Sequence, residues 1–271
     1  MPGASLWLIP PQPHHLLPHN DKKTSTSQGL HIPHPHLPGH AKRHSQDLPL
    51  PKKPHSRQSS NDLSKSSHHH KIHDTLTELI NTIPSTIPTT STPDPLTFVP
   101  HITLTSGINL AALQPNPKAW LERIAIPEEN DVTVSFKSLE VGPTFTKKLF
   151  LRCEKGGLQG LAELARWQAV EATNSLGSSN SEDARRRAEA WAESNFDPHV
   201  SLLYSDTQIS EQQKIDLQNE ILKSGITFDG SGDLSGWKGG GIWLVDTSVP
   251  IREWKPIAER KLKLGTDTED L

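Results

Sequence analysis

Cysteine is almost absent from this chain: one residue, Cys153, in 271. A lone cysteine excludes an internal disulfide and makes a reducing, intracellular setting, the cytoplasm, the expectation. Long apolar runs are missing as well. The longest near the N-terminus is Leu6-Trp7-Leu8-Ile9, with no basic stretch before it and prolines after it. A signal peptide needs about 7–15 apolar residues and a membrane helix about 20, so neither is expected. No charge of one sign dominates, since 28 Lys+Arg stand against 31 Asp+Glu for a formal net charge of −3. That leaves no bulk basic field for duplex nucleic acid. Apolar residues make up only 32%, low for a fully packed domain of this length, so part of the chain is expected not to fold.

Residues 11–73 are the part that differs. They contain no Phe, Trp, Tyr, Val or Cys and carry 9 Lys/Arg against 3 Asp/Glu. Prolines recur, as in His31-Ile32-Pro33-His34-Pro35-His36, with no period of 2 or 3.6. Such a stretch cannot bury enough apolar area to offset its ordering entropy and is expected to be a disordered His/Pro-rich insertion. Residues 1–10 then supply the first strand of a folded domain, and 74–271 the remainder. Of 15 histidines, 13 fall within 11–73, leaving only His101 and His199 in the foldable chain.

The foldable part mixes strands and helices. Apolar alternation and turn residues predict strands at 4–9, 97–105, 131–140, 144–153, 199–204, 241–247 and 256–263. Apolar spacing and caps predict helices at 74–83, with Asp74 as cap, and at 116–124, 158–173, 182–194 and 210–223. The hairpin around Gly142-Pro143 and the absence of a βαβ rhythm argue for α+β with antiparallel sheets.

Both remaining histidines sit in one pattern: His101-Ile102-Thr103-Leu104 and His199-Val200-Ser201-Leu202. On a strand, residues i and i+2 share a face. Each strand therefore offers an imidazole beside a hydroxyl, with the aliphatic residues turned to the core. Two such strands facing each other form a pocket suited to a phosphodiester. Hydrolysis needs a base for water and an acid for the leaving oxygen, and histidine serves as either near neutrality. The hydroxyls can donate to the non-bridging phosphate oxygens. The arrangement requires no metal and no cofactor. A lone strand histidine is more often a satisfied polar residue than a catalyst, but here both histidines of the foldable chain repeat the pattern.

Paired H-x-[ST]-hydrophobic motifs resemble the two-histidine (2H) phosphoesterase superfamily. Ser5-Leu6-Trp7-Leu8-Ile9-Pro10-Pro11, Phe98-Val99-Pro100-His101-Ile102-Thr103-Leu104, Asp197-Pro198-His199-Val200-Ser201-Leu202-Leu203-Tyr204 and Gly239-Gly240-Gly241-Ile242-Trp243-Leu244-Val245 are similar to the fungal 2′,3′-cyclic-nucleotide 3′-phosphodiesterases. The likeness covers nearly everything outside 11–73, where that family has only a short loop. The resemblance implies a two-lobed α+β fold with a motif from each lobe at a central cleft. It implies hydrolysis of ADP-ribose 1″,2″-cyclic phosphate to ADP-ribose 1″-phosphate, downstream of tRNA splicing, and of nucleoside 2′,3′-cyclic phosphates to 2′-phosphates. It makes His101 and His199 the catalytic pair, with His199 as base and His101 as acid, and Thr103 and Ser201 the phosphate-holding hydroxyls. It also suggests a Golgi association. A small cyclic-phosphate nucleotide is the expected partner and a monomer the expected state. Strict alternation turns Tyr204 to the core; a bulge or the strand end would turn it to the pocket, which the resemblance favours.

Three rival readings stand beside this one. An RNA-end-processing or 2′,5′-ligase-like enzyme would want a basic groove, whereas the chain outside 11–73 holds 28 acids against 19 bases. A non-catalytic nucleotide- or RNA-binding protein would not need two imidazoles. A metal-buffering role for His68-His69-His70 lacks ligands fixed in tetrahedral geometry. The glycine-rich stretch 230–241 has no G-K-[ST] and is expected to be a flexible turn feeding the strand at 241. Cys153 is expected in the core, and Arg185-Arg186-Arg187 on a solvated helix face.

Overall fold

A computed structural model describes residues 3–12, 61–87, 96–127, 132–174 and 181–262. Their strands form two four-stranded antiparallel sheets. The first has the order β2 (Ile102–Ile108), β1 (Ala4–Ile9), β7 (Gly241–Asp246), β8 (Pro256–Lys261), and the second β5 (His199–Leu203), β4 (Leu149–Cys153), β3 (Thr133–Val141), β6 (Gly236–Lys238). The expected α+β antiparallel architecture is what forms. β1 is paired on both sides and buried along its whole length, which is why Ala4-Ser5-Leu6-Trp7-Leu8-Ile9 carries almost no polar residue. Both strands with an H-x-[ST] motif lie at a sheet edge, and β2 and β5 touch each other.

Helices pack over the sheets. Asn116 caps α2 (Pro117–Arg123), with Pro117 at its first turn, and Ser210 with Gln213 forms a capping box on α6 (Glu211–Lys223). α3 (Gly156–Arg166) runs through a π-turn, Trp167–Glu171, into α4 (Ala172–Asn174), and its Leu158, Leu161, Ala162 and Ala165 face the core. α5 (Ser181–Ser194) packs on α3 through Ala184, Ala188 and Ala192.

Four expectations are revised. The first helix, α1, runs Asn61–Thr86, so the boundary drawn at 73/74 falls inside it. Ile72, one turn before Leu76, is buried at 1% exposure. The last proline of the biased stretch is Pro54, and 61–73 contains neither proline nor glycine; composition taken over the whole segment hid that. Asp74 accordingly lies mid-helix rather than at a cap. Residues 13–60 of the expected insertion lie outside the described residues. β2 begins at Ile102 instead of Thr97, because Pro100 has no N–H to give a ladder. The stretch 144–148 is a 3₁₀ turn, Phe145–Lys147, before β4 starts. Finally, 236–238 is a strand and not a free turn: β6 pairs with Thr133–Ser135 of β3. Gly236, at φ 153°, lets that pairing form, since a Cβ there would stand 1.9 Å from the Val134 carbonyl oxygen.

Candidate active site

The two motif segments are built alike. Each reads Phe-x-Pro-His-[Ile/Val]-[Thr/Ser]-Leu: Phe98 to Leu104, and Phe196 to Leu202. Proline biases the residue before it toward extended backbone. The carbonyl of that residue then meets the histidine ring: His101 Nδ1 lies 2.7 Å from Val99 O, and His199 Nδ1 lies 2.7 Å from Asp197 O. A carbonyl only accepts, so both Nδ1 atoms carry the proton and both Nε2 atoms are left to exchange one. Each strand then bulges at its leucine. On β2, Trp7 faces Thr103 and Leu6 faces Thr105, leaving Leu104 extra; on β5, Phe150 faces Ser201 and Leu149 faces Leu203, leaving Leu202 extra. Trp7 and Phe150, opposite the two hydroxyl residues, also hold the two imidazoles. Trp7 stacks flat on His101 at 3.7 Å and Phe150 meets His199 edge-on at 5.2 Å.

A belt of rings joins the halves. Tyr204 stacks on Phe98 at 3.9 Å, Phe98 lies edge-on to His101 at 6.4 Å, and Trp254 touches Trp7 and Tyr204 at 5.8 and 6.4 Å. The ambiguity over Tyr204 is thereby explained. β5 carries the bulge and ends at Leu203, which breaks alternation and sets the Tyr204 hydroxyl beside Ser201. Ser201 Oγ donates to the Thr146 carbonyl at 2.9 Å. Trp7, Phe98, Phe150 and Trp254 were not singled out as candidates from sequence. The repeated Phe-x-Pro-His frame would have flagged Phe98; Phe150 and Trp254 follow only from pairing and packing.

Electrostatics separates the two imidazoles. Burial pushes His101 down to about 4, partly offset by its bond to the Val99 carbonyl, with repulsion from His199 adding to the fall. His199 is lowered by burial too, against its bond to the Asp197 carbonyl; Lys147 and Arg152 lower it further and the Asp197 carboxylate raises it. The His199 charge reaches His101, and their strands β2 and β5 are in contact. Burial pushes the Cys153 thiol up, consistent with a core residue. Among the described residues, no group of three or more His, Cys, Asp or Glu is arranged to hold a metal, and no helix is long and apolar enough to cross a membrane.

The pKa of His101 sets an expectation for stability. Above its ordinary 6.5 the ring is neutral folded and unfolded, and nothing is lost. As pH falls from 6.5 toward 4, the unfolded chain binds a proton that the folded one refuses, and stability declines by roughly 2 kcal/mol at pH 5. Thermal melts at pH 7 and pH 5 should show that decline shrinking in His101→Asn; an equal pH dependence in both proteins would contradict it.

Two antiparallel sheets whose touching edge strands each carry a histidine–hydroxyl pair define a two-histidine phosphoesterase fold. The chain belongs to the family of cyclic phosphodiesterase-like proteins, which matches residues 64–262. It is similar to the 2′,3′-cyclic-nucleotide 3′-phosphodiesterase of Phaeosphaeria nodorum, 36% identical over 167 residues, covering 61% of this chain and 81% of that protein. The enzyme of the same name from Neurospora crassa is 33% identical over 174 residues, covering 61% and 78%. The one from Saccharomyces cerevisiae is 32% identical over 149 residues, covering 45% and 59%.

Proposed function

We propose that this protein hydrolyses nucleoside 2′,3′-cyclic phosphates to 2′-phosphates, and ADP-ribose 1″,2″-cyclic phosphate to ADP-ribose 1″-phosphate, without a metal, downstream of tRNA splicing. The observation that carries this reading is the pair of Nδ1-anchored imidazoles, each with a hydroxyl two residues on, from facing edge strands. In the reaction, His199 Nε2 takes a proton from water as its oxygen forms the new bond to phosphorus. The bond to the 3′-oxygen breaks, and His101 Nε2 gives that oxygen its proton. Thr103 and Ser201 hold the non-bridging oxygens, and Tyr204 lines the pocket beside Ser201. Burial favours the neutral form of both rings at pH 7. The anionic phosphodiester stabilises the one proton the acid must carry.

Turnover of a 2′,3′-cyclic nucleotide and of ADP-ribose 1″,2″-cyclic phosphate should therefore survive EDTA. In ¹⁸O-water, one labelled oxygen should enter a product that is the 2′-phosphate. Formation of a 3′-phosphate, ligation of RNA ends, binding without turnover, or loss of activity on chelation with recovery on adding a divalent ion would each refute the reading.

A further inference from the structure

The two half-sites share a frame but differ in what backs it. Val99, behind His101, is apolar; Asp197, behind His199, is charged. The Asp197 carboxylate accepts from Lys147 Nζ and from Arg152 Nη1. Arg152, the cross-strand partner of His199, also grips Glu140 of β3 through Nε and, at 2.7 Å, through Nη2. Lys147 sits 4.6 Å over the Phe150 ring, which itself abuts His199. Lys147 belongs to the 3₁₀ turn Phe145–Lys147, and its neighbour Thr146 supplies the carbonyl that receives the Ser201 hydroxyl. One carboxylate thus ties together the turn that orients His199 and the turn that orients Ser201.

We infer that Asp197 is a positioning residue: its carboxylate, held by Lys147 and Arg152, fixes the two carbonyls that aim His199 and Ser201 at the phosphate. This rests on the catalytic reading of His199 given above. The groups facing the ring are Lys147 from the turn, Arg152 from β4, Asp197 from its own segment and His101 from just before β2, with Glu140 acting through Arg152. Lys147 and Arg152 disfavour an imidazolium at 199 and Asp197 favours it. Breaking the same ion pair from its two ends therefore has opposite consequences. Asp197→Asn leaves two cations facing the ring and moves the His199 titration down; Lys147→Met moves it up.

The experiment uses full-length protein with isotopically labelled histidine. The His199 resonance is identified by its loss in His199→Asn, and is titrated in wild type, Asp197→Asn and Lys147→Met. Shifts of about half a unit or more, opposite in sign, are expected. kcat for a 2′,3′-cyclic nucleotide should fall about tenfold or more in Asp197→Asn with KM changing less, since a displaced catalytic group costs turnover. A merely structural ion pair would lower the melting temperature in both variants and leave kcat where it was even though the nearby charges still move the titration, and an unchanged kcat in Asp197→Asn overturns the inference. If His199→Asn itself stays active, the catalytic reading fails; if His199→Asn is inactive while Asp197→Asn keeps the wild-type kcat, the positioning role alone fails.

Discussion

His101→Asn and His199→Asn should each lower kcat for a 2′,3′-cyclic nucleotide by about 10²–10⁴, the usual loss when a general acid or base is removed. Asparagine is the informative replacement. Its amide N–H can take the place of Nδ1 against the Val99 or Asp197 carbonyl, 2.7 Å away in both halves, while it has nothing where Nε2 stood. The anchoring bond is kept and only the exchangeable nitrogen goes. Alanine at 101 would also empty the space against Trp7, on which His101 stacks at 6% exposure, and would mix a packing loss with a chemical one. Acid and base serve one bond exchange, so the double variant should be far less impaired than the product of the single losses. The rate-pH profile of the wild type should be a bell whose two limbs belong to the coupled pair. Near-normal turnover in either single variant would remove that histidine from the chemistry.

The site was legible to the extent that scarcity made it so. With 13 of 15 histidines inside one biased segment, the two that remained pointed at their own strands, and period-2 alternation gave Thr103 and Ser201 as neighbours. What alternation cannot give is a bulge. The extra residues at Leu104 and Leu202 change which way the rest of each strand faces, and this is why Tyr204 could be argued to either side from sequence. The limits of α1 and β6 were hidden for different reasons. Ile72 is a single apolar residue inside a histidine-rich run, so its one-turn spacing from Leu76 carries little weight against the local composition. Gly236-Trp237-Lys238 is too short to show alternation, and its glycine reads as a turn until β3 is known to lie against it. The charged cluster at Asp197 draws on Glu140, Lys147 and Arg152 from three elements, and antiparallel pairing, which no local pattern encodes, brings them together.

The two hydroxyls should fail in different ways, although in the proposed reaction each donates to the same phosphate. Thr103 is half-buried and its hydroxyl has no hydrogen-bond partner among the described residues, so its proton is available when substrate arrives. Thr103→Val keeps the β-branched shape and the β2 backbone and removes only that donor. A loss of about 10²–10³ in kcat/KM is expected with the melting temperature nearly unchanged. Ser201 is already committed: its proton goes to the Thr146 carbonyl at 2.9 Å, and the Tyr204 hydroxyl lies beside it. To donate to phosphate it must turn away from Thr146, and part of the gain is spent on breaking that bond. Ser201→Ala should therefore cost less in turnover than Thr103→Val. It should cost more in stability, about 1 kcal/mol, because the Thr146 carbonyl loses its donor and the buried Tyr204 loses its polar neighbour. Melting temperatures and kcat/KM measured on both variants separate the two effects. Equal kinetic losses would mean that the bond from Ser201 to the Thr146 carbonyl does not compete with the phosphate. Intact kinetics in both variants would make these hydroxyls structural and leave the phosphate to other donors.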